Sequence, residues 1–294
     1  MNQGLIYASL GYIIWGLLPV YWKSLGQVSS LEILCHRMIW SVPFLLIILG
    51  LKKRWKWVKE IRRNPRQVRI YLVSALLLSV NWITYVYSVI SGRIVESSLG
   101  YFINPLIYVV LGMIFLGERL RKFQIVAVFL ALIGVIYLTF FYGSFPWIAL
   151  VLALTFGFYG LIRKTGCLEA LEGLTLETAI MFFPAVFVLF LLNVRSGISF
   201  AGSNMDLNLL LILAGPATAL PLLLFAEGAR RISLASLGIL QYIAPFLQFL
   251  IGILVYQESF NKQRLIGFCL IWIALAIYTA ESYKFYKKSI KDVK

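Results

Sequence analysis

Few side chains in this sequence can ionise inside its apolar stretches. Glu32, His36 and Arg37 stand in the second such stretch, and Glu96 stands at the start of the fourth. An ionisable group surrounded by hydrocarbon is costly, and it is retained where it is paired or has a function. Arg37 and Glu96 form a candidate ion pair, since neither tolerates apolar surroundings alone. The pair reads as a gate on one side of the molecule or, equally, as a structural link with side chains snorkelling to the interface. His36 is the only histidine, and Glu177 occupies the matching place in the second half of the chain. Either can carry a coupling proton, although a lone histidine is more often a hydrogen-bonded packing residue.

The uncharged polar and aromatic groups in the apolar stretches are Trp15, Asn81, Trp82, Tyr85, Tyr101, Asn104, Gln241, Tyr242 and Gln248. Together they describe an aromatic-walled cavity with amide donors, suited to an amphiphilic or aromatic organic solute rather than to a bare ion. The competing reading is that the amides join helices by hydrogen bonds worth about 0.6–2 kcal/mol each. Pro105 and Pro245 each remove a helix hydrogen bond and free a carbonyl, and Gly100 and Gly238 allow close helix approach. These four mark expected helix breaks. Nothing points to an enzyme: there is no HExxH, Walker loop or GxSxG, and no paired carboxylates at mid-stretch. The cysteines (Cys35, Cys167, Cys269) have no metal-site or disulfide spacing. No cofactor or metal is expected.

The elements that must position these residues follow from composition. Of 294 residues, 61% are hydrophobic and 13% charged, against about 25% charged in soluble domains. The mean hydropathy is +0.88. Ten segments approach the roughly 20 apolar residues that a membrane-crossing helix needs. They are 4–22, 31–51, 70–90, 94–117 and 123–142, then 145–162, 174–193, 207–226, 232–256 and 265–280. Lone strands cannot satisfy their backbone in lipid, so the chain reads as an all-α polytopic membrane protein with ten transmembrane helices. The first segment lacks a charged leader and a cleavage site and reads as a span.

The net charge of +15 is not a nucleic-acid signature, because the cations lie in short loops between spans; the partner they imply is the bilayer. With both termini in the cytoplasm, inner loops hold 21 of the 27 Lys and Arg residues and outer loops hold 5, with Arg37 inside a span. That bias sets the orientation. The stretch 52–69 carries nine of the inner cations together with Trp55, Trp57, Val58 and Ile61. It reads first as a topology-fixing loop and second as a short amphipathic helix on the anionic leaflet.

The segment 93–118 has a weaker copy at 231–258. Arg93, Ile94, Ser98, Leu99 and Gly100 recur as Arg231, Ile232, Ser236, Leu237 and Gly238. Pro105, Gly112 and Glu118 recur as Pro245, Gly252 and Glu258, in a register longer by two residues inserted before Pro245. Gly16, Lys23 and Pro43 have echoes in Gly157, Lys164 and Pro184. Five spans per half is an odd number, so the halves, residues 1–142 and 143–294, enter the membrane in opposite senses. Inverted repeats of this kind place a solute site near the midplane. There the Asn104–Pro105 break and the break near Pro245 are expected to meet, with the solute passing between them. Glu118 and Glu258 read as loop or interfacial ion-pair residues.

These stretches also carry a family resemblance. WGLLPVYWK (15–23), EILCHRMIWS (32–41), NWITYVYSVISGRIVESSLGYFINPL (81–106), LGERL (116–120) and LGILQYIAPFLQFL (237–250) resemble RarD-type proteins of the EamA group in the drug/metabolite transporter superfamily. The resemblance covers the whole chain, and the long 81–106 motif is its specific part. It implies a bacterial inner-membrane permease of two inverted five-helix repeats. The cavity would be lined by spans one to four and six to nine, with spans five and ten peripheral. It further implies a secondary transporter of small organic solutes such as drugs, amino acids or related metabolites, acting by alternating access. RarD-type proteins commonly carry a chloramphenicol-sensitivity label, which identifies no substrate. An uptake carrier, a passive facilitator and a non-transporting scaffold or sensor are the alternatives.

The charge distribution makes the topology testable. A reporter active only outside the cytoplasm, inserted beside Arg195, is expected to be active, and the same reporter at the C-terminus silent. The reverse pattern would overturn the orientation.

Overall fold

Every regular element among the described residues is an α-helix, as hydrocarbon surroundings demand of a chain that must satisfy its own backbone. The computed structural model describes residues 3–90, 94–140, 147–202, 204–255 and 262–291. The first half comprises α1 (Gln3–Ser24), α2 (Ser30–Leu51), the short α3 (Lys56–Arg63), α4 (Pro65–Ile90), α5 (Ile94–Leu116) and α6 (Lys122–Phe140). The second comprises α7 (Trp147–Thr165), α8 (Ala170–Ser196), α9 (Met205–Ala229), α10 (Leu234–Gln241), α11 (Ile243–Leu254) and α12 (Lys262–Lys291). Seven helices are long and apolar enough to cross a membrane, and three shorter apolar helices accompany them. All ten fall on the segments expected from the sequence.

Burial is not sorted by hydrophobicity. On α6, Phe123, Phe129, Ile133, Ile136 and Phe140 face outward, whereas Ala127, Ala131 and Gly134 are buried. A lipid-facing aromatic side chain costs nothing, and small residues let two helices approach closely. The small face of α6 packs on α12, where a Cβ added at Gly134 would lie 3.2 Å from the Gly267 carbonyl.

The packing of the halves is reciprocal. α1 packs on α9, and α4 on α7; α2 packs on α9, and α4 on α8. α5 packs on α7, as α10 and α11 pack on α1, and α6 pairs with α12. Exchanging α1 for α7, α2 for α8, α4 for α9, α5 for α10–α11 and α6 for α12 returns the same set of contacts. Both ends of the chain lie at one end of the bundle. Gly4 sits against Arg231 and Ile232, and Arg121 Nε, at the start of α6, donates to Glu281 Oε1 of α12 at 3.0 Å.

Two expectations change. First, α5 runs unbroken through Pro105; only its twin is interrupted, at Tyr242, where α10 gives way to α11. Pro245 offers no N–H to the Gln241 carbonyl, and its ring crowds that carbonyl. The Tyr242 N–H turns to the Ile239 carbonyl at 3.2 Å. The two-residue insertion falls in this interval, so the asymmetry between the repeats is a break in one helix only. Second, part of the cationic stretch 52–69 is helical. Trp57 and Ile61 of α3 are buried in the main core, and Trp55 is exposed.

The α2–α9 contact depends on Gly215. A Cβ there would lie 2.6 Å from the Ser41 amide nitrogen, and Ser41 Oγ donates to the Gly215 carbonyl at 3.1 Å. Gly215→Ala is expected to destabilise the protein by about 1–3 kcal/mol through overpacking, read as a lower melting temperature in detergent. Gly50→Ala, with nothing within 4 Å of the added carbon, is expected to leave it unchanged.

Candidate functional site

Between the halves lies a cavity of about 190 Å³. α1 contributes Tyr12, Trp15, Leu18, Pro19 and Trp22; Tyr12, Trp15, Pro19 and Trp22 are spaced three or four apart and share one helical face, with Leu18 beside them. α2 supplies Arg37, α4 supplies Asn81, Trp82 and Tyr85, and α5 supplies Tyr101. From the second half come Phe156 of α7, Thr218 and Leu222 of α9, Gln241 of α10, and Ala244 and Pro245 of α11. Among the described residues, none of α6, α8 (span seven expected from the sequence) or α12 lines it.

Each polar wall residue has a defined setting. Asn81 Nδ2 donates to the Leu152 carbonyl at 2.9 Å and to Thr155 Oγ1 at 3.0 Å, which ties α4 to α7. Arg37 Nε donates to Thr218 Oγ1 at 2.9 Å. Its guanidinium carbon lies 4.8 Å from the Trp22 ring and 5.1 Å from the Trp82 ring, within the range of a cation–π contact. The Tyr12 hydroxyl and Gln241 Oε1 are buried and have no hydrogen-bond partner among the described residues. Buried polar atoms are rarely left in that state, so both keep hydrogen-bonding capacity beside the cavity.

Beneath the cavity, toward the end that carries the termini, is an aromatic layer centred on Phe225. Its ring lies 5.4 Å from Phe156, 5.8 Å from Trp15, 6.0 Å from Tyr159 and 6.4 Å from Tyr108. Next comes a buried ionic cluster. Arg163 Nη1 and Glu177 Oε1 are 3.4 Å apart, and both side chains are essentially inaccessible. Ser74 Oγ donates to Glu177 at 2.6 Å, and Arg163 Nη2 donates to the Ala170 carbonyl at 2.7 Å. At this end the turns of the second half are tied together. Arg230 Nη1 donates to the Gly166 and Leu168 carbonyls at 2.7 and 2.8 Å. Lys164 Nζ donates to the Ala229 carbonyl at 3.3 Å and also to that of Ile232. Glu118 accepts from the Leu234 and Ala235 amides at 2.7 and 3.1 Å, so it caps α10 rather than serving a loop.

Of the residues proposed from sequence, Trp15, Asn81, Trp82, Tyr85, Tyr101, Gln241, Pro245 and Arg37 meet at the cavity. Asn104 does not: its Nδ2 donates to the Ala153 carbonyl at 2.8 Å and holds α5 to α7. Tyr242 points away, stacks on Phe102 and donates to the Phe102 carbonyl at 3.0 Å. Gly100 packs on Ala149, and Gly238 packs on Pro105, so α10 lies directly against α5 at Pro105, while Pro245 lines the cavity. His36 lies behind the wall. It accepts from Trp40 Nε1 at 3.1 Å, and its Nε2 is 3.9 Å from Glu32. Glu32 in turn accepts from the Ser199 and Phe200 amides at 2.7 and 3.1 Å. Glu177 pairs with Arg163, a residue the sequence reading placed among the loop cations. The side chains of Glu96 and Gln248 lie outside the described residues, as does Glu258. Sequence reasoning missed Tyr12, Trp22, Phe156 and Thr218; the three-and-four spacing from Trp15 marks Tyr12 and Trp22, but nothing local marks the other two.

The EamA-like transporter family model matches twice, at residues 2–140 and 145–280. The chain belongs to the EamA-like transporter family. It is 45% identical over 293 residues to the uncharacterized transporter YojE of Bacillus subtilis (98% of this chain, 97% of that one). It is 43% identical over 282 residues to the protein RarD of Escherichia coli (96% and 95%). A protein named chloramphenicol-sensitive RarD from Pseudomonas aeruginosa is 28% identical over 294 residues (99% and 98%). A solved crystal structure with 16% identity superposes with a TM-score of 0.71, covering 95% of this chain and 98% of that one, and so shares the fold. This EamA protein is a RarD-type, multi-pass membrane transporter.

The buried pair gives a stability test. Arg163→Met alone leaves Glu177 buried without its partner, which typically costs about 3–5 kcal/mol. The melting temperature in detergent is expected to fall sharply. The double change Arg163→Met with Glu177→Met is expected to recover a large part of the loss.

Proposed function

We propose that this chain is an inner-membrane secondary transporter that carries a small organic solute by alternating access. In this reading the ten apolar helices are ten spans in two inverted five-helix repeats. The reciprocal packing of the halves and the two family matches, one per half, support that arrangement. Outward transport is the direction proposed, in keeping with the export of metabolites by related superfamily members.

One observation carries the reading. The cavity lies where the halves meet, and its wall runs along α1 to Trp22, near the helix end remote from the termini. At the opposite end the Phe225 layer, the Arg163–Glu177 cluster and the Lys164 and Arg230 contacts stand one behind another. A site reached from one side and sealed on the other is what a carrier holds in one of its two states. The seals suit a reversible closure, because Lys164 and Arg230 bond to backbone carbonyls across turns rather than to a carboxylate buried beside them. A non-transporting scaffold gives no reason for a cavity with unpartnered polar residues in its lining. About 190 Å³ is below the roughly 300–1,000 Å³ of pockets for drug-sized ligands, so the solute is metabolite-sized.

Comparing the metabolites of deletion and overexpressing cells tests the transport itself. A solute whose level in the medium rises with expression is expected, and no expression-dependent change in any solute would sink the reading. Alternating access has its own test, in a variant with the three native cysteines replaced by serine. A thiol crosslinker joining Gly166→Cys to Arg230→Cys is expected to stop transport, and cleaving the linker to restore it.

A further inference from the structure

Two arginines lie within the helix bundle, and they are treated differently. Arg163 is neutralised by Glu177 at 3.4 Å. Arg37 has no such partner: among the described residues no carboxylate lies within ion-pair distance of it, and none lines the cavity. An unpaired charge in a partly enclosed apolar site is costly. It is held in place nonetheless. Thr218 Oγ1 donates its own hydrogen to the Ala214 carbonyl at 2.8 Å and so turns a lone pair to Arg37 Nε at 2.9 Å. Trp22 and Trp82 lie against the guanidinium. With Nε committed and the plane braced by indoles, the Nη1–Nη2 edge is the one without an acceptor among the described residues. That edge matches two coplanar oxygens.

We propose, resting on the transport reading, that the solute is an organic carboxylate, with its two oxygens on the Nη edge of Arg37 and an apolar or aromatic body against the tryptophans. The solute supplies the negative charge that no described residue gives Arg37. The body also carries a hydroxyl or amine. Among the described residues the buried Gln241 Oε1 has no donor, and the buried Tyr12 hydroxyl, which also lines the cavity, has no partner. A hydrocarbon acid would leave both unsatisfied.

The test uses purified full-length protein in nanodiscs and calorimetric titration with 3-phenyllactate, its uncharged amide, and 3-phenylpropionate, which lacks the hydroxyl. Wild type is expected to bind 3-phenyllactate at least about tenfold more tightly than the amide, and more tightly than 3-phenylpropionate. Arg37→Gln is expected to abolish the preference for the acid over the amide. Arg37→Lys, should the glutamine variant not fold, is expected to keep the preference with weakened acid binding. Equal binding of acid and amide by wild type, or undiminished acid binding in the variant that folds, overturns the proposal.

If none of the three binds, the solutes moved in the expression comparison decide. Carboxylates moved by wild type and not by the Arg37 variant support the proposal. Neutral or cationic solutes, or anions moved equally by that variant, overturn it and leave the transport reading standing. No bound probe and no moved solute overturn both.

Discussion

Inside a bilayer an apolar side chain gains nothing by turning inward, and a backbone group without a partner is heavily penalised. The structure depends on those two facts. The first weakens the usual reason for a hydrophobic core, so small, aromatic and polar residues lie between the helices alongside buried leucines and isoleucines. Gly134 meets Gly267, Gly215 meets the backbone of Trp40, and Gly238 meets Pro105. The second restricts the architecture to helices and makes each buried polar group either a fastener or a site.

Most buried polar groups are fasteners. Asn81 and Asn104 hold neighbouring carbonyls of α7, those of Leu152 and Ala153. Ser41 reaches the Gly215 carbonyl, and Glu118 caps α10. Arg37, Tyr12 and Gln241 line the cavity with hydrogen-bonding capacity that no described residue takes up.

The two ends of the bundle are built differently. Toward the termini, aromatic rings, a buried ion pair and side-chain-to-carbonyl contacts lie in successive layers. At the other end, Glu32 ties the α8–α9 loop to α2 through two amides, and the Tyr21 hydroxyl donates to the Leu210 carbonyl. Repeat-related positions have diverged in chemistry: His36 accepts from an indole where Glu177 holds an arginine.

The ten apolar segments, their helical state and the relation between the halves were legible in the sequence, because segment length and composition decide whether a chain can lie in hydrocarbon. The aromatic and amide residues of the cavity were partly legible, since Trp15, Asn81, Trp82 and Tyr85 stand out in apolar surroundings. What only the tertiary structure decided is which way each polar group faces. Asn81 and Asn104 both bond to α7, yet only Asn81 lines the cavity. Glu177 looked like a free acid until α7 brought Arg163 to it. Pro105 and Pro245 occupy equivalent places, yet only the second follows a helix break. These outcomes depend on rotation about the helix axis and on the neighbour across the interface. A sequence records the order of residues along one helix; the partner that meets each of them belongs to another.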